Sequence, residues 1–396
     1  GDKVTMTYKK FSDLTDWNHK VFMQANFKSA RLRGEDLGRF VNAMYQYPGL
    51  YKLNGNLAGT VEKLGLRNFN MQFGKQSNLR GDFSFKGLPN VAKTQMDFKM
   101  NSSVFLPNDL AVFISSSAAN KMKILGPVAF SGTFSGIPNN FFTTGKLKTG
   151  LGFLDGKVKM NLKDSMALSA YEGQINLRKF KLGKMVDLEP YLGTIDLKGN
   201  IKGTGFSNKS AKIDFDGQIS EINFHNYAYK RVNLKGNLQK QLFKGIVSVR
   251  DSNLIGNMIG EVNLRGSKAH YQMNGIINKA DLKALKWMDQ PMGIASEFEL
   301  DLLMNDIDDL EGKVNMNDII LSKPGMADLP IRLGSFHADL SETGKRKYHF
   351  NSDIVSAQLD GAFVPSKLIG DLQQFTKMIN RYMRRVSESL GIKKWH

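Results

Sequence analysis

A β-strand normally keeps glycine out of its interior, because glycine offers nothing to pack and costs chain entropy. This chain does the opposite, repeatedly and in one phase. In LGTIDLKGNIKG, Ile195, Leu197, Gly199, Ile201 and Gly203 alternate with Thr194, Asp196, Lys198, Asn200 and Lys202, the period-2 pattern of a strand with one apolar and one solvated face. The glycines fall on the apolar side. The same phase recurs at Leu53, Gly55, Leu57, Gly59; at Val128, Phe130, Gly132, Phe134, Gly136; at Val232, Leu234, Gly236, Leu238; and at Met258, Gly260, Val262, Leu264, Gly266. Two compatible readings follow. Each glycine marks a bulge, a bend or a fit beneath a bulky neighbour, or the missing side chains hollow the apolar face into an open trough.

Strand patterns fill most of the chain. Val21 to Phe27 alternates, strands resume from Tyr51 to about Met100 with turns expected at Gly65, Gly74, Asn78 and Gly87 to Asn90, and period 2 returns from Val128 to Leu177, from Asn257 to Arg265 and from Phe298 to Met304. Short helical inserts interrupt them. GEDLGRFVNAMYQYPG spaces Leu37, Phe40, Val41, Met44 and Tyr45 as a helix does, with Glu35 and Asp36 in its first turn and Pro48 as its stop. PNDLAVFISSSAANKMKILGP, LGKMVDLEPYLG and KADLKALKWMD read the same way. Meandering strands punctuated by short helices form a degenerate repeat. The predicted fold is therefore all-β, an elongated repeating antiparallel groove over residues 1–365. A basic amphipathic helix over 366–396 follows, capped by Ser366, with Leu368, Leu372, Phe375, Ile379 and Tyr382 on one face and Lys377, Arg381, Arg384 and Arg385 on the other.

Composition narrows the chemistry. The chain has no cysteine, which removes disulfides, thiolate metal sites and thiol nucleophiles together. There is no H-E-x-x-H, no G-x-S-x-G, no Walker loop and no Rossmann fingerprint, so no catalytic centre, cofactor or metal is expected. NDIDDLEG groups Asp306, Asp308, Asp309 and Glu311, but Leu310 stands where a calcium loop needs an oxygen ligand, and an acidic turn is the simpler reading. His225 and His270 read as packed or surface residues. The net charge of +18 invites an anionic partner, yet the lysines sit at the polar strand positions. Phe83, Phe85, Phe98, Phe130, Phe134 and Phe215 share the aliphatic phase rather than offering stacking platforms. Nucleic acid is not an expected partner.

LGTIDLKGNIKG, DFDGQISEINFHNYAYKRVNLKGNLQKQLFKGIVSV and IGEVNLRGSKAHYQMNGIINKADLKAL resemble the TamB branch of the AsmA-like family, in its Bacteroidota form, as do GPVAFSGTFSGIPNNFFTTGKLKTGLG and ELDLLMNDIDDLEGKVNMNDIIL. The resemblance spans most of residues 1–365 and lies in repeated texture. It implies a periplasmic protein, anchored in the inner membrane by a segment outside this chain, with a groove that conducts phospholipid acyl chains toward the outer membrane and supports outer-membrane biogenesis and protein secretion. It also implies an outer-membrane barrel partner of the TamA or BamA type. The groove lining is then expected at Leu53, Leu57, Val128, Phe130, Phe134, Ile195, Leu197, Ile201, Val232, Leu234, Val262 and Leu264. The alternative is an assembly scaffold that binds clients by β-augmentation at an exposed strand edge.

Overall fold

The computed structural model describes residues 3–38, 45, 49–110, 123–165, 167–186, 188–189, 191–206, 210–341, 343–368 and 378. The chain is all-β and divides into two compact units, Gly1–Lys240 with Val249–Asp251 and Gln241–Ser248 with Ser252–His396. In the first lie β1 (Lys3–Thr7), β2 (Phe22–Arg33), β3 (Leu50–Gly59), β4 (Lys63–Phe73), β5 (Ser77–Lys86), β6 (Gln95–Phe105), β7 (Val128–Ile137), β8 (Asn140–Thr149), β9 (Gly152–Asn161), β10 (Ala170–Lys181), β11 (Leu192–Thr204), β12 (Lys212–Phe224) and β13 (Tyr227–Gln239). Each pairs antiparallel with the next, in an uninterrupted meander. β14 (Leu242–Arg250) spans the boundary in sequence. The second unit holds β15 (Leu254–Asn263), β16 (Ala269–Asp281), β17 (Gly293–Met304), β18 (Glu311–Ser322), β19 (Leu329–Leu340), β20 (Arg346–Ser352) and β21 (Ser356–Gly361), again paired antiparallel in order.

Two devices shape the first meander. Tight turns use residues in the left-handed region, as at His225 (φ 45°) and Asn226 (φ 63°) between β12 and β13, the backbone that matches strand twist in a two-residue hairpin. Backbone donors at or beside left-handed residues recur with an aspartate as their partner. Asn68 (φ 47°) donates its N–H to Asp82 Oδ1 at 2.8 Å, Lys179 (φ 47°) donates to Asp196, and Lys230, beside Arg231 (φ 53°), donates to Asp251 Oδ2 at 2.9 Å. The first two stand at bulges, which free a backbone donor from the ladder for the aspartate to satisfy.

Helical turns Gly34–Gly38, Pro107–Leu110 and Leu182–Val186 follow β2, β6 and β10, four strands apart and at the same rim. The expected inserts thus begin where the sequence places them, while residues 39–44 and 111–122 lie outside the described residues. Asp109 anchors the second insert. Its buried carboxylate accepts the N–H groups of Lys75 (3.0 Å), Gln76 (3.2 Å) and Ser77 (3.1 Å) and the Ser77 hydroxyl (2.7 Å). Burial pushes this carboxyl up, and those four hydrogen bonds outweigh it, leaving it below its ordinary range.

Four expectations need correction. Gly65 and Asn78 are not turns but lie inside β4 and β5, Gly65 paired with Ser84 and Ala58 and Asn78 with Gln72 and Val104. KADLKALKWMD forms turns rather than a helix. Leu285 makes one helical hydrogen bond to Asp281 O, and then Lys286 enters the left-handed region (φ 62°), so that Trp287 and Met288 both donate back to Leu282 O, a closure that stops helical winding. Ser366 does not cap the terminal helix. The helical turn begins one residue earlier, at 365, and Lys367 and Leu368 donate to Val364 O; most of 369–396 lies outside the described residues.

Candidate functional site

Strand register turns the alternation within each strand into rows that run across the strands. Gly132 stands opposite Gly145, Gly145 opposite Gly156, Gly156 opposite Ile175, Ile175 opposite Gly199, and Gly199 opposite Gly217. A ladder of five glycines and one isoleucine therefore crosses β7 to β12. On one side of it runs Phe130, Leu147, Leu154, Leu177, Leu197, Ile219 and Val232, apolar at every strand from β7 to β13. On the other side run Phe134, Thr143, Val158, Gly173, Ile201, Phe215 and Gly236.

The ladder has a backbone cause as well as a packing one. At Gly132 (φ 155°) a Cβ would overlap the carbonyl oxygen of Thr144 on the next strand, and at Gly81 (φ 148°) it would overlap that of Lys99; only glycine takes that conformation freely. Elsewhere aromatic rings stand where side chains are missing. Phe130 covers Gly145, and the Phe215 ring would lie 2.7 Å from a Cβ on either Gly199 or Gly217. The apolar face is thus bent by its glycines and partly refilled by phenylalanine, so the ladder is not an empty channel.

The expected lining residues separate by burial. Leu53, Val128, Ile195 and Val232 are buried, and all four lie in the first half of odd-numbered strands, toward the rim that carries the three helical turns. Leu53 belongs to a packed cluster with Tyr51, Phe69, Phe73 and Phe83. Leu57, Phe130, Phe134, Leu197, Ile201 and Leu234 are half-buried on the same face. Val262, half-buried on β15, belongs to the second unit, where it opposes Tyr271. Leu264 departs from the expected strand: it lies past the end of β15 and is 50% exposed. From β7 to β12 the apolar face is mixed, buried at Val128, Leu177, Ile195 and Ile219 and half-buried at Phe130, Leu147, Leu154, Leu197 and Ile201, whereas across β3 to β6 it is a closed aromatic core in which Phe83 is 1% exposed.

The opposite face is polar and laced with cross-strand ion pairs, Arg178 with Asp155 (3.1 Å), Lys235 with Asp216 (3.6 Å) and Lys202 with Glu172 (3.7 Å). Exposed pairs of this kind contribute little each and identify a solvated surface. An open depression of about 810 Å³ follows the ladder, lined by its members and by the residues directly before and after each, from Ser131 to Gln218. Those neighbours point to the polar face, and neither Phe130 nor Phe215 lines the hollow, so the glycines dent the sheet on its polar side.

The other candidate groups are occupied structurally. In the acidic turn, Asp309 Oδ1 accepts the N–H groups of Asn305 (2.7 Å) and Asp306 (3.1 Å), and Asp306 accepts that of Asp308 (2.7 Å); among the described residues no His or carboxylate group is arranged to hold a metal. His270 contacts Asp301 Oδ1 at 2.6 Å, and His225 packs its ring against Phe224 and Tyr191. No described helix is long and apolar enough to cross a membrane. Sequence reasoning found the apolar phase but not the cross-strand ladder, which depends on pairing register. No protein-family model matches the chain, and no curated protein or solved structure matches it.

Proposed function

We propose that the apolar face of the first unit carries phospholipid acyl chains, lying across the strands beside the glycine ladder, in a non-enzymatic transfer protein. One observation carries this reading: the row from Phe130 to Val232 is apolar on seven successive strands, a path of about 29 Å at the usual strand spacing of about 4.8 Å. An acyl chain of about sixteen carbons exposes apolar surface worth on the order of 12 kcal/mol to water, and a continuous apolar row lowers that barrier without covalent chemistry. The resemblance to the TamB branch supplies the setting, between inner and outer membranes with a barrel partner.

Ile201 is the residue on which to test this, because it is half-buried and flanked by Gly173 and Phe215. Native mass spectrometry with lipid extraction compares the chain with Ile201→Asp. Phospholipid bound to the parent and lost from the variant, at unchanged circular dichroism, supports the reading. A folded, lipid-free parent sinks it.

A second reading has its own observation. β1 and β21 each pair on one side among the described residues and are exposed along nearly all their length, as a β-augmentation scaffold requires. That reading predicts client peptide binding by a lipid-free chain.

A further inference from the structure

Among the described residues, two hydrogen-bond donors on the apolar face of the second unit have no acceptor. Arg346 and Tyr348 stand two residues apart on β20 and share a face, the one on which Tyr348 continues the cross-strand row of Val262, Tyr271, Leu302, Gly312 and Ala338. Arg346 spends its two terminal nitrogens on backbone carbonyls: Nη1 donates to Phe363 O at 2.8 Å and to Gly344 O at 3.3 Å, and Nη2 donates to Asp308 O. Its Nε–H and the Tyr348 hydroxyl are buried and find no partner among the described residues. Buried donors left unmet are unfavourable and uncommon.

The chain that follows β21 lies against both residues. Phe363 packs its ring edge-on to Tyr348 at 5.1 Å and lends its carbonyl to Arg346. Three residues on, Ser366 is fastened to the β17–β18 connection, its N–H and hydroxyl both donating to the Asp308 carboxylate. The stretch 361–368 is therefore a strap across the end of an apolar row, and beneath it sit a guanidinium N–H and a phenol O–H. A guanidinium N–H and a hydroxyl are donors that carboxylate and phosphate oxygens take.

We propose that Arg346 and Tyr348 form a headgroup site for an anionic amphiphile, phosphate or carboxylate, whose alkyl chain lies on the apolar row of the second unit, and that the strap latched by Asp308 and Ser366 closes it. The proposal rests on reading the apolar face as an acyl-chain surface. Asp308 has two parts in it, since its carboxylate holds the latch and also interacts with the charge of Arg346, for which an incoming anion would compete. Asp308→Asn removes both.

The full chain, Asp308→Asn/Ser366→Ala, that double variant with Arg346→Gln added, and the same double variant with Tyr348→Phe added are titrated with dodecyl phosphate, dodecyl maltoside and inorganic phosphate by calorimetry, below micelle formation. The latch variant should bind dodecyl phosphate about ten-fold more tightly than the parent, the scale of one charge-assisted hydrogen bond. Arg346→Gln should abolish the gain and Tyr348→Phe should reduce it, with dodecyl maltoside indifferent to both. Tyr348→Phe deletes a single buried oxygen, so it keeps the test valid should Arg346→Gln fail to fold. Equal gains for both amphiphiles that survive Arg346→Gln and Tyr348→Phe overturn the anion site and leave the acyl-chain reading standing. Inorganic phosphate displacing dodecyl phosphate at equal affinity overturns the amphiphile as the source of the anion. Absence of binding by either alkyl ligand to every variant overturns the acyl-chain reading itself, and this proposal with it.

Discussion

Asp308 and Ser366 stand fifty-eight residues apart in sequence and are joined by two hydrogen bonds, 2.7 Å from the Ser366 N–H and 2.8 Å from its hydroxyl to the two carboxylate oxygens. Those bonds, with the charges of Arg346 and Lys367 nearby, hold the Asp308 carboxyl below its ordinary range. A carboxyl depressed in the folded state contributes stability that is present above its unfolded value of about 3.9 and lost as the pH falls through the folded one. Protection of the Ser366 amide in hydrogen-exchange mass spectrometry, expressed relative to its intrinsic rate, should therefore fall on acidification below about pH 4. In Asp308→Asn it should be low at every pH. Protection that persists in the variant would show the strap to be held by something else.

Asp109 makes a stronger version of the same contact, deeper in the fold. Replacing it by alanine strands the amides of Lys75, Gln76 and Ser77 around a turn where Asp109 itself is 9% exposed. The expected loss is about 2–4 kcal/mol in urea unfolding, the scale of buried donors left unmet. Asp109→Asn, which still accepts hydrogen bonds, should lose less. Equal losses would mean that the space the side chain fills matters more than its acceptors.

The glycine ladder predicts a split among residues that look alike in sequence. Gly132 has a left-handed φ and no room for a Cβ, whereas Gly156 has ordinary φ and its nearest contact is 3.2 Å from Gln174 O. Gly132→Ala should cost about 1–3 kcal/mol, as strained backbone does, and Gly156→Ala only a few tenths, as a slight shift of a neighbour does. Thermal unfolding of the two variants decides it. Similar midpoints would remove the backbone argument for the ladder.

Much of this is legible in the sequence, and what is not has identifiable causes. The phase of Ile195, Leu197, Gly199 and Ile201 reports one strand's two faces, and each strand obeys it. That Gly199 faces Gly217, with Ile175 on its other side, depends on the bulge between Leu177 and Phe180 and on the shifts near Ile195 and Leu197, each of which moves register by a residue. Periodicity carries no record of those shifts. The run from Leu282 to Met288 has helical spacing for about two turns, too short to distinguish a helix from a turn that closes at Lys286. Leu264 continues the alternation of β15 in sequence but lies past its last paired residue, Asn263. Arg346 and Tyr348 are not legible as a site, because two polar residues at i and i+2 read as a solvated face until their strand is paired.

Phe83 and Phe134 separate core from groove most sharply. Both flank Phe98, Phe83 edge-on at 5.2 Å and Phe134 stacked at 5.3 Å, so their sequence contexts and ring partners are alike. Phe83 is 1% exposed within the closed cluster of β3 to β6, while Phe134 on β7 is half-buried and also stacks on Phe141 at 4.6 Å. Phe83→Ala should cost about 3–5 kcal/mol in urea unfolding, as large-to-small changes in a tight core do. Phe134→Ala should cost about 1–2 kcal/mol, because a half-exposed ring surrenders only part of its buried area. The functional consequence runs the other way: lipid extracted from purified Phe134→Ala should fall against the parent, since the variant keeps its fold and loses a ring beside the ladder. Equal stability losses would place Phe134 in a closed core, and the open face that an acyl chain needs would then begin farther along the meander than β7.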